Sequence, residues 1–129
     1  MKAGKIERLA GVLIWTERGR FDAMARFYRD RLGLTPRTSK SDFINFDWGG
    51  VRLSVGVHDQ VRGSSRDPVR IMINLAVDDV RAVHARLTSA GVVFVRPPET
   101  EDWGGQVASF LDPDGNLVQL LQLPPAVAR

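Results

Sequence analysis

The chain carries the same pattern twice. Residues 9–57 read as a strand (9–16), a helix (21–32) and three more strands (34–37, 43–48 and 51–57). Residues 70–122 read as a strand (70–77), a helix (79–90) and strands at 92–96, 106–111 and 117–122. The offset is about 60 residues, and repetition on that scale restricts a chain to stacked or facing copies of one supersecondary unit. Each unit is βαβββ, so the expected class is α+β. The polar, turn-rich stretch HDQVRGSSRDP (58–68) joins the copies. The organisation is therefore module 9–57, linker 58–69 and module 70–122, within one domain spanning 1–129.

Local chemistry supports the repeat. Gly33 and Gly91 stand at the ends of the two helices, each followed by an apolar residue, as a left-handed helix stop requires. Phe21, Met24, Ala25, Tyr28 and Leu32 recur with helical period, as do Val80, Val83, Leu87 and Ala90, so each helix buries one face. Asp78 and Asp79 stand where a carboxylate caps free amides. Trp48-Gly49-Gly50 and Asp112-Pro113-Asp114-Gly115-Asn116 occupy matching places and read as hairpin turns. The tail after Pro124-Pro125 has no pattern and is expected to be loose.

With 129 residues, 43% of them hydrophobic, the chain can build one sizeable core. It has no cysteine, which removes disulfides, zinc-thiolate sites, iron–sulfur clusters and cysteine nucleophiles. No apolar run reaches the ~18 residues of a membrane span. The charged start, Met1 to Arg8, leads into an apolar run at 9–15 without a small-residue cleavage site. A cytoplasmic protein is expected. The net charge is +3, with the 18 basic residues scattered among 15 acidic ones, so neither nucleic acid nor a membrane is an expected partner. The acids are mostly Asp; Glu occurs at Glu7, Glu17, Glu99 and Glu101.

Strand alternation separates two kinds of face. Val51, Leu53, Val55 and Val57 fall on one side, as do Ile71, Ile73, Leu75 and Val77, and the helices should cover them. The opposite side is mixed. It carries Leu13, Trp15, Arg52, Ser54, Met72, Asn74 and Gln119. A core would not tolerate the polar members without partners, and a solvated face would not favour the apolar ones. Small, polar and aromatic residues together describe a ligand cleft.

The repeated unit, the segment MARFYRDRLGL (24–34) and the segment WGGQVASFLDPDGNLVQLL (103–121) resemble the vicinal oxygen chelate superfamily, which includes glyoxalases, bleomycin resistance proteins and extradiol dioxygenases. The resemblance covers roughly residues 9–122. It implies two modules with curved mixed sheets around a cleft, and homodimers, often with swapped modules, whose clefts lie between chains. Members that use a metal hold it with His, Gln or Glu on the first and last strands of each module. The matching positions here are Gly11, Ser54, Met72 and Gln119. Glycine offers no side chain, methionine is too soft for an oxygen-chelating ion, and serine is weak. A metal site of the family's type is therefore expected to be absent, with no cofactor. The resemblance is closest to the non-metal, bleomycin-resistance-like branch.

Trp15 and Trp103 are candidates for stacking on a planar ligand, Trp103 from a loop that could form a lid. Arg52 could grip an anionic group or pair with Asp47. Ser54, Asn74 and Gln119 could bond a ligand or satisfy one another. His58, at the linker edge, could be a ligand contact, an acid/base group or a solvated loop residue. His84 should pack beside the second helix, and Trp48 should be structural. Asp112 and Asp114 read as turn residues. Taken with the resemblance, these residues suggest a binding protein of the bleomycin-resistance type, which would sequester a small organic molecule, an antibiotic for example, in a dimer cleft without metal or turnover. The candidate ligand contacts are Trp15, Arg52, Ser54, His58, Met72, Asn74, Trp103 and Gln119, with no catalytic residue. The alternative is a glyoxalase-like lyase or dioxygenase-like enzyme with an atypical metal shell or a metal-free mechanism, such as His58 as general base. A third is a regulatory or scaffolding dimer with an unused cleft.

Overall fold

Hairpins and helix stops divide the chain into two equivalent sheets. A computed structural model describes residues 4–125; the tail beyond Pro125, expected to be loose, and the first three residues lie outside the described residues. The first module contains β1 (Gly11–Thr16), α1 (Phe21–Arg26), β2 (Thr38–Ser39), β3 (Phe43–Trp48) and β4 (Val51–Val57). The second contains β5 (Ile73–Ala76), α2 (Val80–Ser89), β6 (Phe94–Thr100), β7 (Gln106–Leu111) and β8 (Leu117–Gln122). The sheet orders are β1-β4-β3-β2 and β5-β8-β7-β6, with β1–β4 and β5–β8 parallel and the remaining pairs antiparallel. No helix among the described residues is long and apolar enough to cross a membrane.

Several expected elements change length for local reasons. The strand expected at 34–37 shrinks to Thr38–Ser39. Pro36 has no N–H to give a ladder, and the amides of Arg37 and Thr38 both go to Asn45, one to its carbonyl and one to its side chain. The strand expected from residue 70 starts at Ile73, because the Arg70 amide closes a turn onto Asp67. β6 runs on through Pro97-Pro98 to Thr100, with register shifts; prolines are tolerated there because β6 is an edge strand. The first helix is also not uniform. After Arg26 it widens into π-helical turns over Phe27–Arg31, closed by a bond from Leu32 N–H to Phe27 O (2.9 Å). The widening leaves Phe27, Tyr28 and Leu32 all buried.

One apolar cluster serves both modules. Ile14, Ile44, Phe46, Leu53 and Val55 from the first sheet join Ile73, Ala108, Phe110, Val118 and Leu120 from the second, with α1 and α2 contributing Met24, Tyr28, Val80 and Leu87. Phe27, at the end of the first helix, reaches across to Phe110 on β7, with ring centroids 5.8 Å apart. The two sheets thus turn their helix-covered faces toward a common interior. Since strand side chains alternate, their other faces look outward.

Buried polar contacts fix this arrangement at one end. Tyr28 Oη donates to Asp112 Oδ2 (2.7 Å), Thr16 Oγ1 donates to Asp114 Oδ2, and Arg20 Nε bonds Asp114 Oδ1 (2.6 Å). Asp112 and Asp114 do form the expected turn, with Gly115 at a positive φ. They also join the modules, a role the sequence reading did not assign them.

Candidate functional site

The outward face of the first sheet is built by register. Leu13, Ser54 and Asn45 align across β1, β4 and β3, as do Trp15, Gly56 and Phe43, and Gly11, Arg52 and Asp47. Gly56 is a requirement of this face. A Cβ there would stand 3.0 Å from the Trp15 ring and 3.2 Å from Phe43. The indole lies over the space a side chain would fill, and it meets the His58 ring edge-on at 5.1 Å. Trp15 keeps 42% of its surface exposed, which is high for so large an apolar ring on a sheet. Arg52 Nε pairs with Asp47 Oδ1 at 3.2 Å, the second of the two roles weighed for it. Ser54 and Asn45 are buried.

The second sheet carries a row of hydrogen-bonding side chains across all four strands: Asn74, Gln119, Ser109 and Arg96. Gln119 Nε2 donates to Asn74 Oδ1 at 2.8 Å. That leaves each amide with further bonding capacity on an open face. Arg96 bonds Glu99 (2.7 Å) and Glu101 (2.6 Å). Ala76, Leu121 and Val107 form the adjacent row. Met72 precedes β5 and is half-exposed, and Trp103 is exposed in the β6–β7 loop. Its ring sits against Gly105, where any Cβ would collide with it.

The eight candidate contacts therefore form two groups. Trp15, Arg52, Ser54 and His58 belong to the first outward face and its edge; Met72, Asn74, Trp103 and Gln119 belong to the second. Asn45, Ser109 and Arg96 also lie on these faces and were missed. Asn45 was legible from its alternation with Phe43 and Asp47. Ser109 was hidden inside an apolar run, and Arg96 inside a strand expected to end there. His84 packs on Phe94 with centroids 4.4 Å apart, as the helix reading expected.

A cavity of about 680 Å³ opens between the modules along β1 and β5, on the helix side. Leu9, Val12, Val51, Leu75, Val83 and Leu87 are among the aliphatic residues that line it, and Arg52, Met72 and Asn74 reach it from the edges.

The donor set does not suit the family's metal. Ser54 stands beside Leu13, and Gln119 beside Asn74; Gly11 is one row away, beside Arg52, and Met72 lies ahead of β5. Gly11 has its own explanation, since a Cβ would collide with the Arg52 backbone. Neither choice of row supplies a carboxylate or imidazole at these positions, and among the described residues no three His, Asp or Glu side chains come together.

Titration is perturbed away from these faces. Burial, reinforced by Asp112 and its hydrogen bond, pushes the Tyr28 phenol well above its usual 10.0. Burial also raises the Asp112 carboxyl above 3.8, against the hydrogen bonds it accepts. Tyr28 is the sole tyrosine in the sequence, so tyrosinate absorbance reports on it alone. Alkaline titration of the folded protein should show no tyrosinate near pH 10, the signal rising only as the protein unfolds. A normal midpoint in the native state would contradict the buried Tyr28–Asp112 contact.

Two four-stranded βαβββ sheets with outward faces of this kind define a class, and comparison with known proteins supplies the family. The Glyoxalase/Bleomycin resistance protein/Dioxygenase superfamily matches residues 17–120, and the chain belongs to it. A bleomycin resistance protein of Klebsiella pneumoniae is 30% identical over 111 residues, covering 79% of this chain and 83% of that protein. A glyoxalase-related enzyme from Fulvimarina pelagi shares the fold with TM-score 0.71 at 21% identity, covering 92% of this chain and 89% of the other. A lactoylglutathione lyase from Agrobacterium tumefaciens does so with TM-score 0.70 at 18% identity, covering 92% and 96% respectively.

Proposed function

We propose that this protein binds and sequesters a small organic molecule, of the kind a bleomycin resistance protein holds, without a metal ion and without turnover. The observation that carries this reading is the pair of outward faces. Each combines uncharged hydrogen-bonding groups with an exposed indole, at positions where the family's metal-using members need carboxylate or imidazole. Ser54, Asn74 and Gln119 orient the ligand, with Arg52 and His58 at the rim. Trp15, Trp103 and Met72 supply apolar area. The cytoplasm is assigned as its compartment on sequence grounds.

Neither face alone encloses a ligand, so the reading includes a homodimer. β1 and β5 are both edge strands with one unpaired side. They flank the same apolar cavity, and Leu9, Val12 and Met72 are exposed beside it. A second copy related by a twofold axis would place its β5 edge along this β1, and its β1 edge along this β5. The Leu13–Ser54 row of one copy would then continue into the Asn74–Gln119 row of the other, and two clefts would form between chains. Sedimentation at increasing concentration should show a dimer, and Val12→Lys, a charge on the shared edge, should give a folded monomer with little ligand affinity. A monomeric parent protein that binds ligand as tightly as expected of the dimer would remove the second copy from the account.

The binding reading is tested by calorimetric titration of the purified protein with bleomycin and with a panel of aromatic metabolites, followed by recovery of the ligand. Saturable binding with unchanged ligand supports it. A ligand recovered as a new compound would favour the enzymatic alternative.

A further inference from the structure

We propose that Asn45 is a specificity-determining residue: it presents an amide N–H of fixed direction to the outward face of the first sheet, so the site selects molecules that bring an uncharged hydrogen-bond acceptor, such as a ring carbonyl, to that point. The inference rests on the ligand-binding reading and names the chemical class which that reading leaves open. The direction is fixed by the backbone. Thr38 N–H donates to Asn45 Oδ1 at 3.0 Å, and Arg37 N–H donates to Asn45 O at 2.8 Å. A backbone N–H can only donate, so the amide oxygen faces β2 and Nδ2 lies on the other side. Nδ2 has no hydrogen-bond partner among the described residues, although Asn45 is only 5% exposed. No fully buried side-chain nitrogen or oxygen among those residues lacks a partner, so Nδ2 belongs to the part of Asn45 that stays open. It is a recessed donor in the row that Asn45 shares with Ser54 and Leu13.

The other polar groups of the two faces do not discriminate in this way. The Ser54 hydroxyl rotates to give or to accept. Asn74 and Gln119 bond each other side chain to side chain, so both amides can turn over together and exchange roles. Arg52 and Arg96 are paired with carboxylates. Asn45, by contrast, cannot reverse without setting its own N–H against that of Thr38. A ligand acceptor at Nδ2 finds a partner, whereas a ligand donor there leaves two N–H groups unpaired, a difference of about tenfold in affinity. The Trp15 ring lies over Gly56 in the adjacent row, about 7 Å along the strands, and gives a planar ligand a surface to lie on.

The test uses two bicyclic probes of similar size and opposite polarity: indanone, whose carbonyl only accepts, and indole, whose N–H only donates. Each is titrated into isotope-labelled protein and followed by heteronuclear NMR. Indanone should bind about tenfold more tightly than indole, shifting both the Asn45 Nδ2 protons and the Trp15 indole N–H. Asn45→Asp keeps an oxygen for the Thr38 amide but puts a second oxygen in place of Nδ2, and should lose the preference for indanone. Thr38→Pro, on the edge strand β2, removes the N–H that orients the amide and should bring the two probes to near equality. If neither variant folds, the shifts and affinities of the parent protein decide. Equal affinities in the parent, Trp15 shifts without Asn45 shifts, or a preference kept in Asn45→Asp overturns the assignment and leaves ligand binding standing. No shift with either probe at any residue of the two faces overturns the ligand reading and this inference together.

Discussion

Asp112→Ala should be the most destabilising polar substitution in the protein, by about 3–5 kcal/mol, lowering the melting temperature by on the order of 15 °C. The carboxylate accepts four hydrogen bonds: from Tyr28 Oη (2.7 Å), from the Asp114 and Asn116 amides (both 2.9 Å) and from Asn116 Nδ2 (2.9 Å). Alanine leaves the buried phenol and two turn amides without partners, and a buried donor without an acceptor costs more than an ordinary hydrogen bond contributes. The pH dependence has a definite sign. Burial raises the Asp112 carboxyl above its unfolded value of 3.8, so the folded state binds that proton more tightly. Its contribution to stability is greatest below about 3.8 and falls as pH rises through the raised value. The stability gap between parent and Asp112→Ala should widen toward acid. Urea unfolding of both proteins across this range measures it. A penalty below about 1 kcal/mol, typical of an exposed turn residue, would show that Asp112 does not hold the modules.

The second large effect concerns Trp15. Its indole is exposed on an outward face, over Gly56 and beside His58, and on the proposed reading it contacts the ligand. Trp15→Ala should weaken ligand binding by roughly 30-fold or more, the scale of a buried aromatic anchor at an interface. Stability should fall by only about 1 kcal/mol, because the ring is not in the shared core. Arg52→Gln provides the contrast. Its pair with Asp47 is half-exposed, and such pairs contribute about 0–1 kcal/mol, so stability should barely change. Equal ligand affinity in Trp15→Ala and the parent would remove this face from the binding site.

The sequence carried some of this plainly. Helical period in Met24, Ala25 and Tyr28, and the glycines at 33 and 91 (φ 75° and 93°), marked helices that the structure contains. Alternation in β4 and β5 separated the core residues from Arg52, Ser54 and Asn74, because a period of two is a local property. What the sequence did not show depends on distance along the chain. Asp112 and Asp114 sit in a turn that has its own reason for those residue types. Their bonds to Tyr28 and Thr16 span 84 and 98 positions, and nothing local marks such partners. The row from Asn74 to Arg96 was similarly hidden, since it depends on the register of four strands and on β6 continuing past its prolines.

On the proposed reading, the outward faces hold an organic ligand by burial and uncharged hydrogen bonds, in place of a metal ion. The most direct measurement is calorimetric titration of chelator-treated protein with bleomycin and the aromatic panel, repeated after addition of nickel, zinc, iron or manganese. Saturable binding of one ligand class is expected, with the same affinity in both series and the ligand recovered intact. Binding that appears only after a divalent ion is restored, or a ligand that returns chemically altered, would contradict it.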